Sequence, residues 1–199
     1  MVSDKSVFLP KSYVKGKIGE NKVRLDLYRL PEDEYLVLHD VMIRNENNIT
    51  TQIDHLIFSK YGIFVIETKN YSGLIIGKNK YKEWIKYVGN EKIKIPNPVL
   101  QNYGHVQELK KALDISEKVF IPLVCIYGNC KLDVEWDKTV KFKYLVDRIG
   151  FFKEIKLLDY KHVYERVKEM NITDIEQKKQ HARDKKIQSD LKKQKRIVK

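Results

Sequence analysis

The spacing of apolar residues predicts a helix near the start of the chain, followed by a strand. Residues 15 to 30 carry apolar side chains at helical spacing, which places them on one face. The members of this stripe are Val23, Leu27 and Leu30. Pro31 ends the helix because proline has no N–H to donate to the preceding turn. The run of residues 35 to 43, which is rich in aliphatic side chains, then predicts a strand.

The next two strands are predicted to form a hairpin whose register can be read from the sequence. A strand that ends at Phe58 and an apolar strand that begins at Ile63 are separated only by residues 59 to 62. If this turn is regular, Phe58 pairs with Ile63, and the same register places Asp54 directly opposite Glu67. Cross-strand partners on one face have Cβ atoms about 4.5–5.5 Å apart, so the two carboxylates would face each other unless a bulge shifts the register.

The remainder of the chain predicts short strands, a capped helix and a helical C-terminal part. Asn97 is the expected N-cap and Pro98 the first residue of a helix that extends to about Leu113. Further short strands are expected at residues 71 to 95, broken at Gly77 and at Gly89-Asn90, and at residues 119 to 128 and 139 to 146. Helices on both sides of the central hairpin, followed by more strands, predict an α/β fold with a mixed central sheet flanked by helices. We expect one domain over residues 12 to 158 and a helical extension over residues 159 to 199.

The composition favours a globular protein that binds a polyanion. Of the 199 residues, 42% are hydrophobic and 33% are charged, and no apolar run is long enough to cross a membrane. The N-terminus shows no apolar segment of a secretory signal, so a cytoplasmic protein is expected. The formal net charge of +12 favours nucleic acid as the partner, with DNA as the first choice and self-association left open. Cys125 and Cys130 fit neither a disulfide framework nor a four-ligand zinc site.

More than half of the net charge lies in the C-terminal segment 176 to 199. Three acidic residues, Glu176, Asp184 and Asp190, are set against ten basic residues there. The basic residues are Lys178, Lys179, Arg183, Lys185, Lys186, Lys192, Lys193, Lys195, Arg196 and Lys199. All of them except Lys199 are candidate contacts to the phosphates of a nucleic acid. We expect a solvent-exposed helix here, and because it has no clear apolar stripe, membrane binding is the least favoured role.

Glu67 and Lys69 are the first candidates for catalysis. They lie two residues apart on a strand, so they share the face of Ile63 and Val65. The charged pair therefore continues an apolar row, although the acids could also point to solvent with Lys69 paired to one of them. Together with Asp54, Glu67 could hold a hard divalent cation such as Mg²⁺, which would neutralise the facing carboxylates.

Other polar residues have competing structural interpretations. Glu20 lies in line with the apolar stripe of the first helix and is a candidate third acid, although the helix dipole also favours an acid near a helix start. Gln101 and His105 share a helix face, and such a face is more often solvated than catalytic unless the helix packs beside the hairpin. His55 is expected to pack or to donate a hydrogen bond, and Trp84 is expected in the core, although it could stack on bases.

Five separated segments occur in an order that points to a known family. They are Gly16-Lys17-Ile18-Gly19-Glu20, Gln52-Ile53-Asp54-His55, Ile66-Glu67-Thr68-Lys69-Asn70-Tyr71-Ser72-Gly73, Trp84, and Asn97-Pro98-Val99-Leu100-Gln101-Asn102. Together they resemble the NERD (nuclease-related domain) family of the PD-(D/E)XK nuclease superfamily over roughly residues 12 to 127. The resemblance implies a restriction-endonuclease-like core with Asp54, Glu67 and Lys69 as the catalytic set. It also implies that Glu20 and Gln101 are auxiliary residues, and that Ile53 replaces the proline of the superfamily's name.

The sequence therefore predicts a nuclease that hydrolyses phosphodiester bonds of DNA or RNA with Mg²⁺ or Mn²⁺. Asp54, Glu67 and Glu20 are the expected metal ligands. Lys69 would orient the attacking water or stabilise charge in the transition state, and Gln101 would hydrogen-bond that water or a phosphate oxygen. One alternative is a nucleic-acid-binding protein that keeps the fold without catalysis. Another is a protein-interaction module whose basic tail docks on an acidic partner.

Overall fold

The computed structural model describes residues 11 to 45 and 48 to 197, except for the side chains of residues 11–13, 185, 186, 188, 189 and 192–197. Within this range the helices are α1 (Lys11–Leu27), α2 (Pro98–Leu113), α3 (Leu145–Gly150), α4 (Tyr160–Met170) and α5 (Ile175–Ile197). The strands are β1 (Leu36–Arg44), β2 (Thr50–Ser59), β3 (Gly62–Asn70), β4 (Gly73–Gly77), β5 (Glu83–Val88), β6 (Glu91–Pro96), β7 (Phe120–Tyr127), β8 (Cys130–Val134) and β9 (Thr139–Lys141).

The strands form two mixed sheets, which confirms the predicted α/β fold. The larger sheet has the order β1-β2-β3-β7-β9, and the smaller one has the order β6-β5-β4-β8. In the larger sheet β1, β2 and β3 are antiparallel, whereas β3, β7 and β9 run parallel. Among the described residues, none of the helices combines the length and the apolar character needed to cross a membrane.

Apolar layers cover both faces of the larger sheet. On one face the predicted stripe of α1 packs against β2, β3 and α3, and its residues Val23, Leu27 and Leu30 are buried as expected. On the other face α2 and α4 pack against β1, β2 and β3, with Val106 of α2 and Val163 of α4 in the same cluster. Helix α4 is thus part of the core, although it lies beyond the domain boundary that we predicted at residue 158.

The predicted hairpin register is confirmed. Phe58 pairs with Ile63, and the ladder continues as far as His55 opposite Ile66. The pair that would follow, Asp54 and Glu67, lies where this ladder ends. Because the register is kept up to that point, the two carboxyl-bearing residues still meet at the same level of the sheet.

The alternation of side chains along β1 and β2 is interrupted at one level. His39 pairs with His55 and Val41 pairs with Ile53, whereas the intervening Asp40 and Asp54 are absent from the ladder. Asp40 has a φ angle of 55°, in the left-handed region that aspartate tolerates better than most residues. Ile53 packs with the apolar cluster on the α2 face, although strict alternation from Ile57, which lies on the α1 face, would place it on the α1 face too. The two strands therefore change face together at Asp40 and Asp54.

One of the predicted strands is wrong in part. Residues 139 to 146 form only the short β9, because Leu145 and Ile149 lie four residues apart and bury one face of α3 in the α1-side cluster. The break predicted at Gly89 is confirmed, because Gly89 adopts a φ of 58° and turns the chain between β5 and β6.

Candidate active site

Glu67 lies at the centre of a polar cluster below the face of α2. It is 3% exposed and lies near the end of the buried part of β3. Oε1 accepts hydrogen bonds from Lys69 Nζ at 2.5 Å and from Gln101 Nε2 at 2.8 Å. Oε2 lies 3.2 Å from His105 Nε2. Three side chains from two elements therefore converge on one buried carboxylate.

The placement of Gln101 and His105 follows from the way α2 starts. Asn97 caps the helix through its Oδ1, which accepts from Val99 N at 2.9 Å. One turn further along, Asn102 Nδ2 donates to the backbone oxygens of Val65 and Leu123 and ties α2 to the sheet. The helix face that carries Gln101 and His105 is thereby turned toward Glu67. This face packs beside the hairpin, the one arrangement in which we did not expect it to be solvated, and His105 is only 5% exposed.

His105 bridges Glu67 and the polar start of β2. Its Nδ1 lies 2.9 Å from Thr51 Oγ1, while its Nε2 faces Glu67. The network is satisfied if Nε2 donates to the carboxylate and Nδ1 accepts from the hydroxyl. His105 was not among the predicted site residues, although its spacing of four from Gln101 shows that the two share a face. The sequence did not reveal which way that face points.

Asp54 brings a second carboxyl group to the same level of the sheet. Its Oδ2 accepts from the backbone N–H of Thr68 at 2.7 Å. Burial raises the pKa of Asp54 well above its usual value, and the negative charges of Glu67 and Glu20 raise it further. The Thr68 N–H and the Lys69 ammonium act in the opposite direction. Asp54 is therefore a carboxyl group whose charge is only partly compensated by its surroundings.

Lys69 belongs electrostatically to Glu67. Burial favours the neutral forms of both groups, but their mutual attraction outweighs it, so the pKa of Glu67 is lowered and that of Lys69 is raised. Lys69 Nζ also donates to Gln101 Oε1 at 3.0 Å. At neutral pH the cluster thus holds an ion pair and, beside it, the carboxyl of Asp54.

Glu20 reaches the neighbourhood of this cluster because α1 approaches β3 closely. At Gly19 a Cβ atom would come within 3.1 Å of the Asn70 side chain and 3.6 Å of the Thr68 methyl, so only glycine allows this approach without displacement. Glu20 itself pairs with Lys17 at 2.6 Å, and its side chain is 26% exposed. It contributes to the raised pKa of Asp54, although its hydrogen bond is made within α1.

A second acidic position, Asp40, was missed by the sequence analysis. It lies beside Asp54 in the interrupted ladder and accepts hydrogen bonds from Gln52 and from Lys178 Nζ, the latter at 2.8 Å. These donors lower its pKa against the opposing effect of burial. Lys178 belongs to α5, so the basic helix is attached directly to the edge of the candidate site.

The start of α5 is therefore docked and not free in solvent as expected. His181 is 5% exposed and its Nδ1 lies 2.5 Å from Thr50 Oγ1, while Arg44 donates to Gln177. Lys179 and Arg183 are exposed, and Lys179 pairs with Glu176. The side chains of Lys185, Lys186, Lys192, Lys193, Lys195 and Arg196 lie outside the described residues, as does Lys199.

Other predicted positions have structural roles. Trp84 is fully buried in the small sheet, where its Nε1 donates to Lys78 O at 3.1 Å. His55 packs on the α1 face with its Nδ1 2.8 Å from His39 Nδ1. Burial lowers the pKa of His55 to about 3 and that of His39 to about 4, so at neutral pH both rings are uncharged.

The carboxylates suit a hydrated hard cation better than a fully protein-ligated metal. In the part of the chain that the structure describes, no three His, Cys, Asp or Glu side chains are arranged as ligands of one ion. Glu67 already accepts three hydrogen bonds, whereas Asp54 accepts one from the backbone and has a raised pKa. Mg²⁺ keeps several waters and needs only one or two carboxylates, so Asp54 with a remaining lone pair of Glu67 fits that ion.

The sequence pattern of the nuclease-related domain family, NERD, matches residues 15–127 of this chain. The chain belongs to the NERD family. The matched part contains most of α1, the hairpin and α2, and hence every residue of the cluster from Glu20 to His105. Helices α3, α4 and α5 lie outside the NERD match.

Similar proteins extend beyond the matched domain but have no established function. An uncharacterized protein of Bacillus anthracis is 31% identical over 176 residues, which cover 85% of this chain and 82% of the relative. A crystal structure of a protein of unknown function covers 87% of this NERD chain and 97% of its own chain, at 14% identity. Its TM-score of 0.33 is too low for that likeness to carry an argument.

Proposed function

We propose that this NERD protein is a divalent-metal-dependent nuclease that hydrolyses phosphodiester bonds of DNA or RNA. The observation that supports it best is the cluster itself. A buried carboxylate, an ammonium group and an amide meet at Glu67, Lys69 and Gln101, and Asp54 carries an incompletely compensated carboxyl at the same level. A purely structural ion pair would not need the second buried acid, whose burial destabilises the folded protein.

The proposed cation is Mg²⁺ or Mn²⁺, held by Asp54 and Glu67. When bound there, it would neutralise the two carboxylates, polarise the scissile phosphate and lower the pKa of a water molecule. Glu20 is proposed to reach the cation or its hydration shell after release from Lys17, its partner in the structure. Oxygen ligands at all three positions agree with the preference of hard cations.

The remaining side chains are proposed to stabilise the transition state and to hold the catalytic groups in position. Lys69 Nζ would stabilise the negative charge that develops on the phosphate in the transition state. Gln101 holds both Lys69 and Glu67 in place and could donate to a phosphate oxygen. His105, held by Thr51, fixes the second oxygen of Glu67 so that the carboxylate cannot rotate away from the cluster.

A basic surface beside the cluster supports a polymeric substrate. The β5–β6 hairpin and the loop before it carry five exposed lysines and the half-buried Lys86. The exposed ones are Lys78, Lys80, Lys82, Lys92 and Lys94. Asn97 Nδ2 donates to the backbone oxygens of Lys78, Asn79 and Tyr81, so this surface is attached to the start of α2, one turn before Gln101. Phosphates held by the lysines would therefore lie near the acids.

One observation favours a second function, a nucleic-acid-binding protein without catalysis. Glu67 is satisfied by three donors from the protein itself, which leaves little room for a cation. In that case the lysines would bind the polymer and the acids would remain a structural network. Only the nuclease function predicts that a divalent ion causes cleavage of the polymer.

The test is incubation of the purified protein with single- and double-stranded DNA and RNA in Mg²⁺, Mn²⁺ or EDTA. We expect cleavage with a divalent ion only, and loss of cleavage in Glu67→Gln with unchanged polymer binding. Glu165→Gln, at an exposed position of α4, is the matched control and should cleave normally. Equal binding with no cleavage under any condition would establish the binding function instead.

A further inference from the structure

A cavity at the β9 edge of the larger sheet is lined by none of the residues in the cluster around Glu67. It has a volume of about 490 Å³ and lies beside β9, the last strand in the order β1-β2-β3-β7-β9. Three large aromatic side chains line it and are strongly exposed: Trp136 by 48%, Tyr144 by 51% and Phe151 by 83%. Exposed aromatic side chains gathered around one cavity indicate a site for a flat ligand.

The polar groups of the cavity are mainly donors. Lys141 and Arg148 line it with one acid, Asp147. Arg148 Nη2 donates to a backbone oxygen, but its buried Nε has no hydrogen-bond partner among the described residues. The Oγ1 of Thr139, a residue that is 2% exposed, also has none there. Both of these atoms are shielded from solvent, so a ligand with acceptor atoms would instead pair with the cationic ends of Lys141 and Arg148.

The cavity lies at the same level of the sheet as the catalytic cluster. Glu67 pairs with Val124, and Val124 pairs with Thr139 on β9. Two residues further along, Lys69 pairs with Ile126 and Ile126 pairs with Lys141. Two strand spacings of about 4.8 Å separate Glu67 from Thr139, so the backbones are roughly 10 Å apart. One nucleic-acid strand can span that distance.

We propose that the cavity binds an unpaired base of a single-stranded stretch of the substrate, next to the bond that is cut. This inference rests on the proposed nuclease function and adds a preference for single strands or frayed ends. Trp136 and Tyr144 stack on bases, while Lys141 and Arg148 meet phosphates or base carbonyls. Lys143 Nζ, 4.5 Å above the Tyr144 ring, adds positive charge at the rim. The net charge of +12 favours a polyanion over a second copy of this like-charged chain.

Tryptophan fluorescence gives a direct readout because the two tryptophans differ in exposure. Trp84 is fully buried, whereas Trp136 lines the cavity. The protein is titrated in EDTA, where cleavage is excluded, with an oligothymidylate of about twelve nucleotides and with an abasic strand of equal length and charge. An oligouridylate and a duplex of equal length complete the set. We expect quenching by oligothymidylate or oligouridylate that is lost in Trp136→Phe.

Affinity separates stacking from simple charge attraction. The abasic strand and the duplex should bind about fivefold or more weakly than the oligothymidylate, and Tyr144→Ala should lose a similar factor. Tyr103→Ala, at a position on α2 that is 45% exposed and outside the cavity, is the matched control and should bind normally. Equal binding of abasic strand and oligothymidylate, or quenching that survives in Trp136→Phe, would overturn the proposal.

The remaining outcomes distinguish this proposal from the nuclease function. Metal-dependent cleavage together with base-independent binding refutes the cavity site and leaves the nuclease. A protein that neither binds nor cleaves any polymer refutes both. A dimer in sedimentation that dissociates in Trp136→Ala, with oligonucleotide affinity unchanged, would show that a second copy occupies the cavity and would overturn the base site.

Discussion

Replacement of Asp54 by asparagine should stabilise this protein in the absence of metal while abolishing cleavage. Asp54 and Glu67 meet at the end of the β2–β3 ladder. Two unit charges about 5.5 Å apart repel by about 3 kcal/mol at an effective dielectric constant of about 20. Asparagine keeps an oxygen for the Thr68 N–H but loses the charge-assisted part of that bond, about 1 kcal/mol. Lys69 also loses an attraction, so the net gain is about 1–2 kcal/mol.

The assay is thermal unfolding in EDTA at neutral pH, where this gain corresponds to a melting temperature about 2–8 °C higher for a protein of this size. Asp133→Asn, an exposed position on β8, is the control and should leave the melting temperature unchanged. Saturating Mg²⁺ should raise the melting temperature of the natural protein and leave Asp54→Asn unaffected, because a ligand of the folded state stabilises by mass action. A variant that melts lower than the natural protein in EDTA would refute the charge argument.

The pH dependence gives a second check on the same residue. The pKa of Asp54 is raised in the folded state, so the folded protein binds this proton more tightly than the unfolded chain. Stability therefore falls as pH rises from the unfolded pKa of 3.8 to the folded value, and the loss is complete above it. The advantage of Asp54→Asn should then grow as pH rises toward the folded pKa and vanish below about pH 3.8. An advantage that stays constant across this range would exclude Asp54 as its cause.

Three further outcomes are expected. Lys69→Met should lower single-turnover cleavage by about 100-fold or more while nucleic-acid affinity changes by less than about tenfold, whereas the control Lys161→Met, at an exposed position of α4, should change neither. Equal losses of rate and affinity in Lys69→Met would make Lys69 a binding residue. Asn97→Ala should lose the α2 cap and the hydrogen bonds that Nδ2 donates, about 3 kcal/mol or roughly 6–12 °C in melting temperature, and Asn97→Asp should lose at least as much, because its carboxylate keeps the cap but turns an acceptor toward three backbone oxygens. Deletion of residues 185–199 should reduce the magnitude of the slope of log K against log salt concentration by several units, roughly 0.9 for each phosphate that is no longer neutralised. An unchanged slope would assign the segment to a protein partner.

The hairpin register could be predicted because it depends on local rules. A short turn and a two-residue period fix which residues of β2 and β3 meet, and Phe58 opposite Ile63 follows from these alone. The cap at Asn97 is equally local, since a side-chain oxygen and the N–H two residues later suffice to form it. The predicted end of the first helix at Pro31 was less accurate, because α1 ends at Leu27 and a turn leads to the proline.

The long-range interactions of the site could not be predicted in this way. The i, i+4 spacing of Gln101 and His105 shows that they share a face, but only the packing of α2 on the sheet turns that face toward Glu67. The docking of α5 depends likewise on Lys178 and His181 finding Asp40 and Thr50, more than a hundred positions earlier in the chain. Charge and composition alone indicated only a basic helix.

The interruption at Asp40 and Asp54 explains why a polar site can exist between two apolar layers. On one side of the interruption Ile53 of β2 faces α2, and on the other side Ile57 of β2 faces α1. Neither Asp40 nor Asp54 is paired in the β1–β2 ladder, so the regular alternation of side chains does not determine which face either of them occupies. Asp40 accepts a hydrogen bond from Lys178 of α5, and Asp54 accepts one from the N–H of Thr68 on β3. The same local break that creates the acid of the candidate site therefore also attaches the basic helix beside it, which gives α5 a defined position relative to any polymer bound at Glu67.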